Sequence, residues 1–344
     1  MKTSHTTKRW LGALVLAFAL VLPACNRGKG GAREVAYVSV PQTFLRDRVA
    51  EVYEKVGTVK NGDRVTVLER DRRFVKIRTS TGTEGWISQR YLTTQQVFDQ
   101  LQKLAKDNED DPVQGQGITR NDTNLHVEPG RDADHIYQVG TGEKVALLKR
   151  ATAEKPGAVV PPTRNAAKAG QKAGEKPAPV AVIEDWWLVR DSHGRAGWVL
   201  ARMIDLDVPL DIAQYAEGQR IVAYFVLSEV QDGDKKVPQY LTVLTEPKDG
   251  LPFDFNQIRV FTWNVKRHRY ETAYRERMEG VLPVTVGQET FDKEGTLPIF
   301  VVRVRDDTGT VTERKYKLNT PIVRRVLAPG EEHHPASRKA GKRK

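Results

Sequence analysis

From Glu34 onward, alternation of apolar and polar positions dominates the chain. Val65-Thr66-Val67-Leu68 and Phe74-Val75-Lys76-Ile77-Arg78 read as strands, with turns at Asn61-Gly62-Asp63 and Thr81-Gly82-Thr83. Short β-strands are therefore expected from Glu34 to Leu92. One stretch changes period. Val97, Leu101, Leu104 and Ala105 fall at i, i+4, i+7 and i+8, with Phe98 beside them, which predicts a helix from Thr94 to Asp107. Asn108-Glu109-Asp110-Asp111-Pro112 ends it. A short connecting helix is expected at Leu210 to Ala216. Beyond it, strand candidates are Ile221–Leu227, Gln239–Leu244, Ile258–Val265, Arg269–Arg275, Leu282–Val286, Ile299–Val304 and Val311–Lys317. Hairpin tips at Asn264 to His268 and Asp306 to Gly309 complete an expected antiparallel barrel or sandwich.

The chain also repeats itself. Residues 74–92 align without gaps to residues 186–204, with Arg78/Arg190, Ser80/Ser192, Gly82/Gly194, Gly85/Gly197, Trp86/Trp198 and Arg90/Arg202 identical. Upstream, Val59 to Leu68 matches Val139 to Leu148, with Gly62 over Gly142. The offset is 80 residues there and 112 downstream, so the second copy carries a 32-residue insertion within Lys149 to Asp185. Its Ala, Pro, Gly and Lys content cannot bury a core and predicts a disordered loop at a hairpin tip, residues 149–181.

Both copies resemble bacterial SH3 domains. In the second copy the likeness rests on Leu125-His126-Val127-Glu128-Pro129-Gly130, Gln138 to Leu148, Trp186-Trp187-Leu188-Val189 and Gly197-Trp198-Val199. In the first it rests on Val56 to Leu68, Phe74 to Ile77 and Gly85-Trp86-Ile87, after an opening at Thr43 to Asp47. The resemblance implies two small barrels. Gly82 and Gly194 sit where a tight hairpin needs positive φ. Gly85 and Gly197 sit where a strand must kink to close a barrel. Trp86 and Trp198 are expected to be equivalent, buried core positions.

The N-terminus carries different information. Lys2, Lys8 and Arg9 precede an apolar run of 12 residues, Leu11 to Leu22, too short to span a bilayer, which takes roughly 20 residues. Residues 1–24 therefore read as a secretory signal. Leu22-Pro23-Ala24-Cys25 resembles the lipobox of bacterial lipoproteins, which implies lipidation of Cys25 and anchoring in a membrane. In two-membrane bacteria, Asn26 after that cysteine implies the outer membrane, with the protein facing the periplasm. Cys25 is the only cysteine, so no internal disulfide can form. Residues 25–33 are a Gly-rich tether.

Charge narrows the partners. The formal net charge is +11, of which the signal carries +3, residues 149–181 carry +5 and the tail from Ala336 carries +5. The remaining folded parts sum to about −2, so the basicity does not mark a domain face. Nucleic acid is disfavoured as a partner.

Catalytic chemistry finds little support. A cysteine nucleophile is excluded if the sole thiol bears lipid. The seven histidines (His5, His126, His135, His193, His268, His333 and His334) lack the close spacing of a metal site. No metal or cofactor is implied, and the expectation is that the protein is not an enzyme. Binding is the remaining class, with Trp186, Trp187, Phe74 and Tyr91 as ligand-contacting candidates. Trp186 and Trp187 are consecutive on a strand and must face opposite ways. One is then core, while the other lies outside or under the insertion. Trp186 shares the aromatic position of Phe74, and Trp187 aligns with Val75. Trp263, Tyr270 and Tyr274 flank a second, basic hairpin tip at Lys266, Arg267 and Arg269.

The fold class expected is thus mainly β: two small SH3-like barrels (34–93 and 112–206) joined by a short helix (94–111), a C-terminal β-domain (207–328) and a disordered basic tail (329–344). The expected function is a non-catalytic envelope lipoprotein binding peptidoglycan peptides or a partner protein. The alternative is a structural adaptor whose barrels space the C-terminal domain from the membrane.

Overall fold

The fold is that of a computed structural model, which describes residues 34–160 and 180–327. Cys25, the signal and tether, residues 161–179 of the insertion, and the basic tail lie outside the described residues. Three antiparallel sheets of seven strands each follow one another along the chain. The first contains β1 (Val35–Val38), β2 (Gln42–Arg46), β3 (Lys55–Lys60), β4 (Arg64–Asp71), β5 (Phe74–Arg78), β6 (Glu84–Ser88) and β7 (Leu92–Thr94). Helix α1 (Gln95–Asp107) leads to the second: β8 (Gly115–Thr119), β9 (Thr123–His126), β10 (His135–Val139), β11 (Lys144–Val160), β12 (Val180–Arg190), β13 (Ala196–Leu200) and β14 (Ile204–Leu206). After the short α2 (Leu210–Ala213), the third runs through β15 (Arg220–Asp232), β16 (Lys235–Thr245), β17 (Phe255–Asn264), β18 (Arg269–Phe291), β19 (Gly295–Arg305), β20 (Val311–Asn319) and β21 (Ile322–Val326).

The mainly β class stands, but closed barrels do not. Among the described residues, no ladder joins the outermost strands of any sheet. The first two sheets nevertheless repeat each other strand by strand, in the orders β3-β2-β6-β5-β4-β1-β7 and β10-β9-β13-β12-β11-β8-β14. Their registers agree too. Thr43 pairs with Val59 as Thr123 pairs with Val139, and Arg46 meets Trp86 as His126 meets Trp198.

Gly82 and Gly194 turn with φ of 88° and 76°, a conformation costly for other residues. Gly85 and Gly197 serve a different need from the expected kink. A Cβ there would lie 2.7 Å from Leu45 Cβ in one sheet and 2.5 Å from Leu125 Cβ in the other. Each glycine lets the neighbouring strand approach over the same leucine.

The inner faces hold the cores. In the first sheet Leu45, Val59, Val65, Val75, Ile77 and Ile87 pack together. In the second, Leu125, Val139, Val145, Trp187, Val189 and Val199 occupy the same places. The tryptophans behind the glycines stand outside this inner-face cluster: Trp86 is buried, as expected, but Trp198 is only half-buried, so the two are not equivalent. With a side-chain period of two, Ile87 and Val199 point inward, so Trp86 and Trp198 lie on the outer face. Trp198, half-buried, packs against Leu104 and Ala105 of α1 with Leu148, Leu188 and Ala196.

Helix α1 starts at Thr94, whose hydroxyl accepts from Val97 N–H, and does more than link. Its Phe98 stacks on Tyr37 of β1 at 4.3 Å, and Val97 and Leu101 are buried with Tyr37 and Ile136 of β10. A side chain adds a further tie. Asn61, at the β3–β4 turn, donates to Ile136 C=O at 2.5 Å and accepts from Gln138 N–H at 3.0 Å. It caps the outer edge of β10 as a neighbouring strand would.

Where it is described, at residues 149–160 and 180–181, the insertion departs from its expected disorder. Lys149 to Val160 continues β11 and pairs with β12 back to Val180. Composition misled because two anchors hold this hairpin against the third sheet. Ile183 lies where a Cβ on Gly250 would come within 2.7 Å of it, and the Arg150 guanidinium binds Asp185 at 2.6 Å and Asp254 at 3.0 Å.

The third sheet is a simple meander, β15 to β21 in order, and not two packed sheets. Two predicted strands fuse into the single β18, whose ladder shifts register between Val281 and Thr285. Its Gly280, which reads as a break, is required by packing: a Cβ there would lie 2.0 Å from the Phe255 ring. The core of the second sheet is continuous with that of the third through Trp187, Ile204, Val222 and Ala223.

Candidate functional site

The outer face of the first sheet carries a groove. On β5, Val75 and Ile77 point into the core, which turns Phe74 outward. On β6, inward Ile87 leaves Trp86 and Ser88 outside, where Ser88 pairs with Phe74 across the ladder. A hollow of about 100 Å³ is lined by Thr43, Phe44, Arg46, Phe74, Trp86 and Tyr91. It adjoins a wider one of about 700 Å³ lined by Glu51, Arg72, Arg73, Phe74, Gln89 and Arg90. The combined size suits a short peptide or small molecule. Of the residues proposed from the sequence, Phe74 and Tyr91 thus come together here. Phe44 and Trp86 were not among those candidates, although the period of two and the repeated glycine placed both on strands.

Cations frame these rings. Lys55 Nζ lies 3.8 Å from the Phe44 ring centre, and the Arg90 guanidinium lies 4.7 Å from that of Tyr91. Arg90 also reaches the Tyr91 hydroxyl at 2.5 Å and Glu51 at 3.5 Å. Arg72 and Arg73 form the two-residue tip between β4 and β5, where Asp71 pairs with Phe74. Arg72 adopts φ of 51°, a conformation such turns normally fill with Asn or Gly.

In the second sheet the same place is filled. Trp186 stands where Phe74 does, and it is only 2% exposed. The His126 ring meets it edge-on at 5.4 Å, and His135 follows at 5.2 Å from His126. Trp187, 8% exposed, lies in the core. The two tryptophans do face opposite ways, but neither offers the accessible platform expected of a binding residue. Nearby, Arg131 clasps Glu184 through two hydrogen bonds of 2.6 and 2.7 Å, with Arg202 at 3.6 Å. The hydrogen bonds from Arg131 hold the Glu184 carboxyl below the usual carboxylate range.

The basic hairpin tip of the third sheet divides its aromatics. Trp263 Nε1 donates to Asp232 at 2.8 Å, and His268 meets the same carboxylate at 2.7 Å, beside Tyr270 and a hollow of about 670 Å³. Tyr274 turns away, sharing Glu276 with Tyr316 at 2.6 and 2.8 Å. Among the described residues, no group of three or more His, Cys, Asp or Glu could hold a metal ion. No helix among them is long and apolar enough to cross a membrane.

Comparison with known proteins gives one family match. Residues 43–93 fit the bacterial SH3 domain, which covers the first copy and its groove. No curated protein matches the chain. Among solved structures, NlpC2 from Trichomonas vaginalis aligns at 10% identity over 86% of this chain and 96% of its own, with a TM-score of 0.17. An NlpC/P60 family protein from Bacillus cereus aligns at 10% identity over 83% and 95%, with a TM-score of 0.22. NlpC1 from Trichomonas vaginalis aligns at 9% identity over 82% and 87%, with a TM-score of 0.17. These scores are too low for the likeness to bear on fold or function.

Proposed function

We propose that the chain, with a bacterial SH3 domain at residues 43–93, is a non-catalytic envelope lipoprotein that binds peptidoglycan peptides through that domain. One observation carries the reading: the copy that matches the family keeps an open aromatic groove at Phe74 and Tyr91, flanked by Phe44 and Trp86. Rings held on strands, as Phe44, Phe74 and Trp86 are, or on the short turn after β6, as Tyr91 is, give large contact area at little entropic cost, which suits an extended peptide.

Residues 112–206 are read as a second copy of the same domain, supported by its strand order and register. Its buried Trp186 and its core shared with the third sheet favour a supporting role there. A reading of this half as a spacer for the C-terminal sheet rests on that shared core. Anchoring through lipid on Cys25, at the outer membrane and facing the periplasm, is supported by the signal-like run and Leu22-Pro23-Ala24-Cys25. Cys25→Ala should release the protein from membranes and abolish palmitate labelling.

The groove is tested by sedimentation with purified peptidoglycan sacculi. The wild type should pellet with them, and Phe74→Ala/Tyr91→Ala should remain in the supernatant with its thermal melting little changed. A wild type that stays soluble overturns the binding reading.

A further inference from the structure

Resting on the reading of the groove as a peptide site, we infer that its wide end is a carboxylate subsite formed by Arg72 and Arg73. The ligand class is a peptide with a free terminal carboxylate whose body lies on Phe74 and Tyr91. Three independent observations converge on this end of the groove.

The first is charge without a partner. Both guanidinium-bearing side chains are exposed on the rim of the 700 Å³ hollow. Among the described residues neither guanidinium makes a hydrogen bond or ion pair; Arg46, Arg48, Arg70, Arg78 and Arg90 of the first copy do, and Arg64, which does not, lies outside the hollow's lining. Arginine's planar fork matches a carboxylate through two parallel hydrogen bonds.

The second is backbone conformation. Arg72 sits at φ of 51° in a two-residue hairpin where Asn or Gly would be unstrained. Residues held in such conformations cluster at ligand-contacting sites. The Arg73 carbonyl accepts from Gln89 N–H at 2.8 Å, which fixes the tip over the groove.

The third comes from the repeat. The loops following β2 and β9 have equal length, so Glu51 corresponds to Arg131, and the offset of 112 places Arg72 over Glu184. In the second sheet these two positions hold a bidentate arginine–carboxylate pair. In the first sheet the charges are exchanged and the clasp is absent, with Glu51 turned to Arg90 at 3.5 Å. The distance spanned by an intramolecular carboxylate in one copy is left for an external one in the other. Glu51, which lines the same hollow, suits an amino group on the same ligand.

The test uses the full-length chain in detergent micelles and calorimetric titration with two synthetic probes. One is L-Ala-γ-D-isoGln-L-Lys-D-Ala as the free acid, and the other is its C-terminal amide. The acid should bind at least about tenfold more tightly than the amide, the scale of a charge-assisted hydrogen bond. Arg72→Gln/Arg73→Gln should bring the acid down to the affinity of the amide, and Arg131→Gln should leave the preference intact. Equal binding of acid and amide to the wild type overturns the carboxylate subsite while leaving the groove reading in place. Binding of neither probe overturns both.

Discussion

Replacing Arg150 with Met probes how the β11–β12 hairpin is fastened to the third sheet. Its guanidinium is 6% exposed and meets Asp185 at 2.6 Å, Asp254 at 3.0 Å and the Phe253 carbonyl at 3.0 Å. Methionine fills much of the same volume but leaves both carboxylates, 3% and 14% exposed, without their main counter-charge. Removing one member of a buried ion pair costs about 3–5 kcal/mol. Asp185 keeps the Gly250 N–H at 2.9 Å and Arg220 at 3.5 Å, and Asp254 keeps the Leu282 N–H at 2.8 Å. The loss should therefore fall at the lower end, about 3 kcal/mol. Adding Asp254→Asn should recover part of it, because one uncompensated charge disappears. Urea unfolding followed by tryptophan fluorescence reads both variants. A loss below about 1 kcal/mol, the value of an exposed pair, would refute the buried fastening.

Two further outcomes follow from the same packing. Burial holds His126 and His135 below the ordinary imidazole value. Their contribution to stability is whole above about pH 6.5, where the unfolded chain is also neutral, and is lost as pH falls toward the lower folded values. The urea midpoint should drop between pH 7 and pH 5, and the drop should shrink in His126→Gln; an unchanged slope in that variant contradicts the assignment. Gly197→Ala would put a Cβ 2.9 Å from the Leu125 Cα, so backbone must move, and the variant should lose about 1–3 kcal/mol in urea unfolding. Wild-type stability there would undo the account of the glycines.

The repeat and the helix were legible in the sequence because their signals are local. A turn glycine at positive φ, an alternation along β5 and an apolar stripe on α1 need no knowledge of distant residues. Exposure was not legible, since it depends on what comes to lie over a face. Trp198 is half-covered by α1, and Trp186 is closed off by His126 from a strand some sixty residues earlier. Phe74 and Tyr91 were identified from aromatic character, but the groove they share also needed Phe44, which the pairing of β2 with β6 brings beside them. Lys149 to Val160 failed as a reading for a related reason. Its composition is that of a loop, and the contacts that order it come from Asp254 and Gly250, far along the chain.

Asn61 and helix α1 both hold the second sheet, one by hydrogen bonds to β10 from a turn and one by burying Val97 and Leu101 with Ile136 while Trp198 packs on Leu104 and Ala105. A body pinned at one point can swivel, and a body pinned at two keeps its bearing. The second sheet shares buried side chains with both of its neighbours, through α1 and β10 on one side and through Trp187, Ile204, Val222 and Ala223 on the other, so that a substitution in it is felt on both sides.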